Sequence, residues 1–160
     1  MRFKRQHRPV TRQQMADFER ERGIRLPDGY RQFLLDYNGG YAPDPGYLDV
    51  PGWNETVLQA FLGVDTGGSY SFARENFHDL SPWLDQHFFP FAEDPGGQVF
   101  VIDLRQKTYG KVYVRDHDSP RNIALRIDDT GMDETDRVAA LIFHPVADSF
   151  ADFIAMLGPE

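Results

Sequence analysis

The sequence predicts an α+β fold, in which a central, mostly antiparallel β-sheet packs against helices. Two runs rich in β-branched and aromatic residues, 98–104 and 110–114, are separated by a short polar segment, a pattern typical of a β-hairpin. A similar run, 88–92, precedes them, and residues 94–97 read Asp-Pro-Gly-Gly, the chemistry of a tight turn. Residues 99–104 are nearly all apolar, so we expect this strand to be central or covered on both faces.

A capped helix is predicted near the start of the chain. Thr11 can accept the capping hydrogen bond, and Gln14 stands at the capping-box position. Val10 and Met15 are placed for a hydrophobic staple across the helix start. Gly23 is a natural C-terminal stop, because glycine adopts the left-handed conformation without a steric penalty.

A second helix follows, and the two helices form a helical hairpin that can lie on the sheet. It is predicted to start at residues 26–28, with Pro27 in the first turn, where its missing N–H costs nothing. Residues 38–40, Asn-Gly-Gly, end this helix. One apolar stripe recurs at i, i+3, i+4 and i+7: Tyr30, Phe33, Leu34 and Tyr37.

Shorter patterns predict the remaining elements. They are a loop at 41–52 with a short strand at 46–49, a strand at 57–64, a short helix at 72–80, a strand at 123–127, and a strand or the approach to a helix at 138–143. A last helix starts at Asp148 or Ser149, either of which can cap it, and ends at Leu157. Four phenylalanines from separate elements are predicted to be core residues: Phe33, Phe91, Phe100 and Phe150.

Length and composition limit the classes of protein to which this chain can belong. At 160 residues the chain is predicted to be a single domain spanning 1–160, with residues 1–10 a mobile basic arm. The chain contains no cysteine, which excludes disulfides, thiol catalysis, thiolate zinc sites and iron–sulfur clusters, and a cytoplasmic location is expected. The N-terminus carries no secretory apolar run, and no run is long enough to span a membrane, so we expect neither secretion nor membrane insertion.

Charge is spread unevenly along the chain. The net charge is −8, made up of +5 in the first twelve residues and −13 in the rest. An acidic body repels nucleic acid and anionic membranes and attracts basic partners. We therefore expect a basic protein partner, with neither nucleic acid nor a membrane as the ligand.

Two glycine-rich stretches are candidate phosphate cradles, and a loop is the favoured interpretation of both. A cradle needs a glycine-rich loop that feeds a helix N-terminus, usually with a lysine. Residues 96–97, Gly-Gly, run into a strand. Residues 66–69, Thr-Gly-Gly-Ser, precede a predicted helix but lack the lysine that should follow. No cofactor is predicted.

A small metal-dependent hydrolase is the alternative from another functional class. Asp116, His117 and Asp118 place one imidazole between two carboxylates, an arrangement that could hold a divalent metal or orient a base. However, adjacent residues of a strand point to opposite faces, and no second spaced set of ligands completes a coordination shell. A charged strand end is the favoured interpretation, and we predict no metal and no catalysis there.

Two segments are hypothesised to bind a partner. One is the acidic segment 128–136, whose carboxylates are equally compatible with a solvated turn. The other is the aromatic loop of Tyr41, Tyr47 and Trp53, where exposed rings would serve as anchors. The carboxylates of the acidic segment are Asp128, Asp129, Asp133, Glu134 and Asp136.

Three blocks of residues, in order and sensibly spaced, carry a resemblance to a known family. The blocks are Phe18-Glu19 with 23–34 and 37–40; 89–94 with Gly96-Gly97, Phe100, Asp103 and 110–113; and 147–150 with Phe153 and Leu157. From about residue 15 to the C-terminus, the chain resembles the SUKH superfamily, the Smi/Knr-type family.

The resemblance implies a fold and a function. The implied fold is α+β, with helices packed against a central, mostly antiparallel sheet. Bacterial members are mostly immunity proteins against polymorphic toxins, fungal members regulate cell-wall synthesis, and the family is not known for catalysis. The resemblance therefore implies a non-enzymatic protein that occludes a cognate toxin, with a regulatory scaffold of the fungal kind as the alternative. Many such toxins are nucleases with basic active surfaces, which an acidic inhibitor can mask.

Overall fold

An antiparallel sheet with helices packed on one face is the frame of the described structure. The computed structural model describes residues 3–4, 6–43, 46–68, 70–72, 87–115, 136, 139–140 and 142–158. Its strands, in chain order, are β1 (Gly40–Tyr41), β2 (Tyr47–Asp49), β3 (Glu55–Val57), β4 (Ala60–Phe61), β5 (Phe88–Glu93), β6 (Val99–Asp103), β7 (Val112–Arg115) and β8 (Phe143–Ala147). Its helices are α1 (Arg12–Arg22), α2 (Asp28–Tyr37) and α3 (Phe150–Met156), and a 3₁₀ turn spans Gln106–Thr108.

Six strands form the main sheet in the order β1-β4-β5-β6-β7-β8, and every neighbouring pair is antiparallel. Strands β2 and β3 form a separate two-stranded sheet. In the turn between β5 and β6, the Gly97 N–H donates to the Asp94 carbonyl at 3.1 Å. The predicted hairpin and the predicted α+β class are both confirmed.

Strand β6 is covered on both faces, as its apolar sequence predicted. Phe100 and Ile102 point into the main core beneath α2 and α3, whereas Val101 packs into a second, smaller cluster. All three residues are 0% exposed. The other buried members of the second cluster are Phe88, Ala139 and Phe143.

The first two helices begin close to where the sequence placed them. The Thr11 hydroxyl accepts from the Gln14 N–H at 3.1 Å, and the Gln14 side chain accepts from the Thr11 N–H at 2.9 Å, so the capping box is confirmed. Gly23 ends α1 with φ at 65°. Pro27 is the N-cap of α2 and lies just outside its first turn; its carbonyl accepts from the Arg31 N–H at 2.9 Å. None of the described helices is long and apolar enough to cross a membrane.

Aromatic rings from separate elements form the main core. The four predicted core phenylalanines are all buried, at no more than 6% exposed. The Phe33 ring of α2 lies 5.2 Å from that of Phe150 in α3, and the Phe150 ring lies 5.7 Å from that of Phe91 in β5, measured between centroids. Phe61 of β4 lies 4.9 Å from Phe33. Tilted and edge contacts of this kind add to area burial, so ring packing ties α2 and α3 to the sheet.

Two strands that the sequence did not predict form the edges of the main sheet. Strand β1 lies at one edge and is two residues long, too short to leave an alternating pattern. Strand β8 lies at the other edge and contains Pro145, which an edge strand tolerates because one side of it needs no ladder donor. The described residues just before β8 are helical, so the apolar run at 138–143 approaches a strand from a helix.

The predicted strand at 57–64 is wrong as a single element. Strand β3 ends at Val57 and β4 begins at Ala60, and the two belong to different sheets. Between them, the Leu58 N–H donates to the Gly46 carbonyl at 2.7 Å, and the Gln59 N–H donates to the Glu93 carbonyl at 2.9 Å. The chain therefore passes from the small sheet to the main sheet within two residues. The predicted helix beyond Phe72 and the predicted strand at 123–127 lie outside the described residues.

The described part of the N-terminal segment lies against the β1 edge of the sheet. The Phe3 ring is 5.1 Å from that of Phe33 and 5.5 Å from that of Phe61. The Gln6 side chain accepts from the Tyr41 N–H at 2.9 Å and donates to the Tyr41 carbonyl at 3.3 Å. A side-chain amide thus satisfies backbone groups of the kind that an edge strand leaves unpaired. The mobility of residues 1–10 and the single-domain boundary stay predictions.

Truncation of a single core ring should destabilise the fold strongly. Phe100→Ala and Phe150→Ala each remove a buried ring, so we expect the free energy of unfolding to fall by about 3–5 kcal/mol in equilibrium urea denaturation. Val57→Ala is the control, because Val57 is 49% exposed, and it should change the free energy by less than about 0.5 kcal/mol. Losses below about 1 kcal/mol for both phenylalanines would contradict this packing.

Candidate partner-binding surface

A row of paired residues crosses the face of the sheet opposite α2 and α3. Tyr41 pairs with Ala60, Ala60 with Glu93, and Glu93 with Val99. Residues that pair across adjacent strands project on the same face. Because the next row contains Phe61 and Phe100 of the main core, this row projects on the other face, which we call the second face.

Two tyrosines meet at the β1 end of this row. Tyr41 is 58% exposed, the highest exposure among the large hydrophobic residues of the described chain. Its ring lies 5.4 Å from that of Tyr70 at an interplanar angle of 74°, an edge-on contact. Burial raises the pKa of Tyr70, and the neighbouring Tyr41 and Glu93 raise it further.

Backbone hydrogen bonds hold both tyrosines in place. The Gln6 side chain forms hydrogen bonds with the backbone N–H and carbonyl of Tyr41, as described above. Tyr70 lies beside the strand end because its carbonyl accepts from the Gly63 N–H at 2.8 Å, while the Phe72 N–H donates back to the Gly63 carbonyl at 2.9 Å. The pair is therefore positioned by the edge of the main sheet, even though Tyr70 itself lies in a loop.

Glu93 is a half-buried carboxylate in the same row. Within the described chain, its side chain has neither a hydrogen-bond donor nor a cation as a partner. Burial raises its pKa above the ordinary value of 4.5, and the neighbouring charge of Asp94 raises it further. Asp94 itself is satisfied, because it accepts from the Thr56 hydroxyl at 2.7 Å and from the Gln98 N–H at 2.9 Å.

The structure places the predicted aromatic loop on three separate elements. Tyr41 lies in β1 beside Tyr70. Tyr47 lies in β2, where a side-chain hydrogen bond to Glu55 raises its pKa. Trp53 follows the β2 strand and packs, half-buried, against the main core. The three rings therefore have different neighbours, and of the three Tyr41 is the most exposed.

Most of the predicted acidic segment lies outside the described residues, including Asp128, Asp129, Asp133 and Glu134. Asp136 is described and belongs to a partly buried network. Its carboxylate lies 2.5 Å from Nη1 of Arg105, whose Nη2 lies 2.7 Å from Asp103. Asp136 therefore already has a cationic partner within the chain, which it shares with Asp103.

The predicted hydrolase triplet, Asp116, His117 and Asp118, also lies outside the described residues. Among the residues that the structure does describe, no group of three or more histidine or carboxylate side chains is arranged to hold a metal ion. The absence of metal binding at the triplet therefore stays a prediction from the sequence.

A cavity of about 850 Å³ lies on the second face, at the end of the sheet away from Tyr41. Its described lining includes Phe88, Tyr113, Phe143 and Arg105. The Arg105 guanidinium lies 4.8 Å from the centroid of the Phe88 ring and pairs with Asp103 and Asp136. The charge of this lining arginine is already compensated, so it is not available for an anionic ligand without loss of these pairs.

Two buried carboxylates of the shared motif blocks serve the fold. Asp103 is 0% exposed and accepts from the Arg105 N–H at 2.9 Å and from the Thr108 hydroxyl at 2.6 Å, which shapes the connection between β6 and β7. Glu19 is 7% exposed, accepts from the Leu26 N–H at 2.9 Å and pairs with Arg31. Buried charges need such partners. Glu93 differs from both because it has none in the described chain.

Tyr70 and Glu93 were not predicted as site residues. Tyr70 follows a glycine-rich stretch that was interpreted only as a loop, and Glu93 ends an apolar strand. Strand register brings Glu93 near Tyr41, since β1, β4 and β5 come from distant parts of the sequence, and hydrogen bonds to Gly63 place Tyr70 beside them. An exposed tyrosine, a second tyrosine and a carboxylate with no partner among the described residues form a surface that suits a cationic ligand.

Neutralisation of Glu93 should stabilise the protein. A raised folded-state pKa means that the folded protein holds this proton more tightly than the unfolded chain, so stability falls as the pH rises from 4.5 through the raised value. Glu93→Gln should therefore unfold at a higher urea concentration than the wild type at neutral pH, and the gain should vanish as the pH is lowered through 4.5. Glu21→Gln, at an exposed position of α1, is the charge-matched control. A loss of stability in Glu93→Gln at neutral pH would mean that the carboxylate has an intramolecular partner.

Comparison with known families gives one match. Residues 9–156 match the family model described as SMI1 / KNR4 family (SUKH-1). The match spans nearly the whole chain and contains most of the three motif blocks. Comparison with curated proteins finds no significant match, and comparison with solved structures finds none either.

Proposed function

We propose that this chain, which belongs to the SMI1 / KNR4 family (SUKH-1), is a non-enzymatic protein-binding domain that acts as an immunity protein in the cytoplasm. In this role it binds a cognate polymorphic toxin and occludes the toxin's active surface, without turnover and without a cofactor. The family match over residues 9–156 is the observation that carries the proposal.

Charge supports the choice of a basic toxin as the partner. The chain beyond its first twelve residues carries a net charge of −13. A surface of that sign accelerates encounter with a basic protein and disfavours phosphate-bearing ligands. Nuclease toxins present basic active surfaces, so an acidic inhibitor can reach and cover them by electrostatic attraction and steric fit alone.

The acidic segment 128–136 and the aromatic residues Tyr41, Tyr47 and Trp53 remain the proposed contact regions. The segment concentrates five carboxylates in nine residues and would contribute mainly to the association rate. Tyr41 offers the most exposed ring of the aromatic set and would contribute mainly to the lifetime of the complex, as buried aromatic anchors do. A toxin gene immediately upstream of this gene would favour the immunity role over that of a regulatory scaffold.

Charge reversal of the acidic segment should slow toxin binding. Replacement of its five carboxylates by lysine changes the charge by ten units, and we expect association with the neighbour-encoded toxin to slow by about 10- to 1000-fold at low salt. The difference should shrink as ionic strength rises, because salt screens exposed charges. Stopped-flow association rates across a salt series measure both effects.

A matched control separates local steering from net charge. The control variant reverses five exposed carboxylates that lie on the helices or just before them: Glu21, Asp28, Asp36, Asp148 and Asp152. It should slow association less than the first variant does. Equal rates for the wild type and the acidic-segment variant at every salt concentration would remove this segment from the proposed interface. Failure of the wild type to bind the toxin at all would overturn the immunity role.

A further inference from the structure

We propose that Tyr41, Tyr70 and Glu93 form a binding site for an arginine side chain of the partner protein, a proposal that rests on the function proposed above. The site lies on the second face of the sheet at its β1 end. Its residues are not among those that line the cavity beside Arg105.

Strand register sets the dimensions of this site. Tyr41 and Glu93 both pair with Ala60, one from each side, so their Cα atoms are about 10 Å apart, which is twice the usual strand spacing. Ala60 lies between them and is 0% exposed, so neighbouring side chains cover it completely. Tyr70 borders the site, since its ring contacts Tyr41 and its hydroxyl is close enough to Glu93 for the two to interact electrostatically.

The chemistry of the three side chains matches a guanidinium group. Tyrosine rings attract a cation over their faces, and arginine stacks on such rings through its planar head. A carboxylate accepts two parallel N–H bonds from the same head in a geometry that an ammonium group cannot reproduce. Glu93 therefore supplies the charge, while the tyrosines supply the stacking surface.

Among the described residues, no cation pairs with Glu93. Burial and the charge of Asp94 both raise its pKa, because both disfavour the ionised carboxylate. Arg115 lies in the same row, but Val99 separates it from Glu93, and the two are not paired. An incoming arginine would thus pair with a carboxylate that has no cationic partner in the part of the chain that the structure describes.

The raised pKa of Glu93 predicts that arginine binding depends on pH. Arginine binds the ionised carboxylate, so binding should lower this pKa and release a proton near it. Among the described residues, the titratable neighbours on the packed elements are Asp94, Tyr41 and Tyr70. Asp94 accepts hydrogen bonds from Thr56 and Gln98, and burial raises the pKa of Tyr70, so this phenol stays neutral at neutral pH. Affinity for arginine should therefore weaken as the pH falls through the Glu93 pKa.

Titration of the full chain with N-acetyl-arginine amide tests the site without the toxin. In ¹H–¹⁵N correlation spectra we expect saturable shifts centred on the amides of Tyr41, Ala60, Tyr70 and Glu93 at millimolar ligand. The neutral isostere N-acetyl-citrulline amide should bind at least fivefold more weakly, and so should N-acetyl-lysine amide. Equal binding of arginine and citrulline, or of arginine and lysine, would overturn the guanidinium assignment.

Variants locate the binding site. Glu93→Gln and Tyr41→Ala should each weaken binding of the arginine amide at least fivefold, whereas Glu21→Gln, with the same change of charge on α1, should leave it unchanged. Unchanged spectra outside the site would show that the variants are folded. Wild-type affinity in Glu93→Gln, or shifts centred on another surface, would overturn the proposal.

A second measurement separates this proposal from the immunity role. Toxin affinity of Glu93→Gln should fall at least tenfold relative to Glu21→Gln. If the arginine amide binds as expected but no toxin binds the wild type, the immunity role fails and the arginine site stands. If the toxin binds the wild type and Glu93→Gln equally, the immunity role stands and the assignment of this site to the partner fails.

Discussion

The hydrogen bonds of one buried side chain fix the edge of the sheet on which the proposed site depends. Asn38 is 1% exposed and ends α2 in the left-handed conformation, with φ at 54°. Its amide donates to the carbonyls of Arg8 and Val64, both at 2.9 Å, and its side-chain oxygen accepts from the Val64 N–H at 2.8 Å. Asparagine tolerates this backbone and can supply both a donor and an acceptor, which few other residues do. The close crossing also requires glycine, because a Cβ on Gly63 would lie 2.2 Å from the Asn38 carbonyl oxygen.

Three features of the β1 end of the sheet depend on the hydrogen bonds of Asn38. The chain turns from α2 directly into β1, which sets Tyr41 beside Ala60. The segment bonded to Asn38 continues from Gly63, whose backbone holds Tyr70. The bond to Arg8 anchors the stretch that carries Gln6 to the outer edge of β1. The proposed arginine site is built from three distant parts of the chain, and all three depend on the hydrogen bonds of Asn38.

Sequence patterns predicted the features that local residues determine. The capping box at Thr11, the hairpin of residues 98–114 and the buried phenylalanines depend on short-range chemistry and periodicity, and all were confirmed. The edges of the sheet and the grouping of Tyr41 with Glu93 in the proposed arginine site were not predicted, because they depend on pairing between distant strands, which no local pattern encodes. The apolar run at 57–64 looked like one strand, since the passage between two sheets at Leu58 and Gln59 leaves hydropathy unchanged. Of the predicted binding residues, Tyr41 is the one that register brings into the proposed arginine site.

Family membership, an acidic body and a carboxylate with no partner among the described residues all fit a protein that works by stoichiometric binding. The most direct test is titration of the activity of the neighbour-encoded toxin with the purified protein. Occlusion predicts that activity falls linearly, reaches zero at one molar equivalent and does not change further with incubation time. Loss of activity that progresses with time at a small fraction of an equivalent would indicate turnover and contradict occlusion, and full activity at a large molar excess would contradict the immunity role.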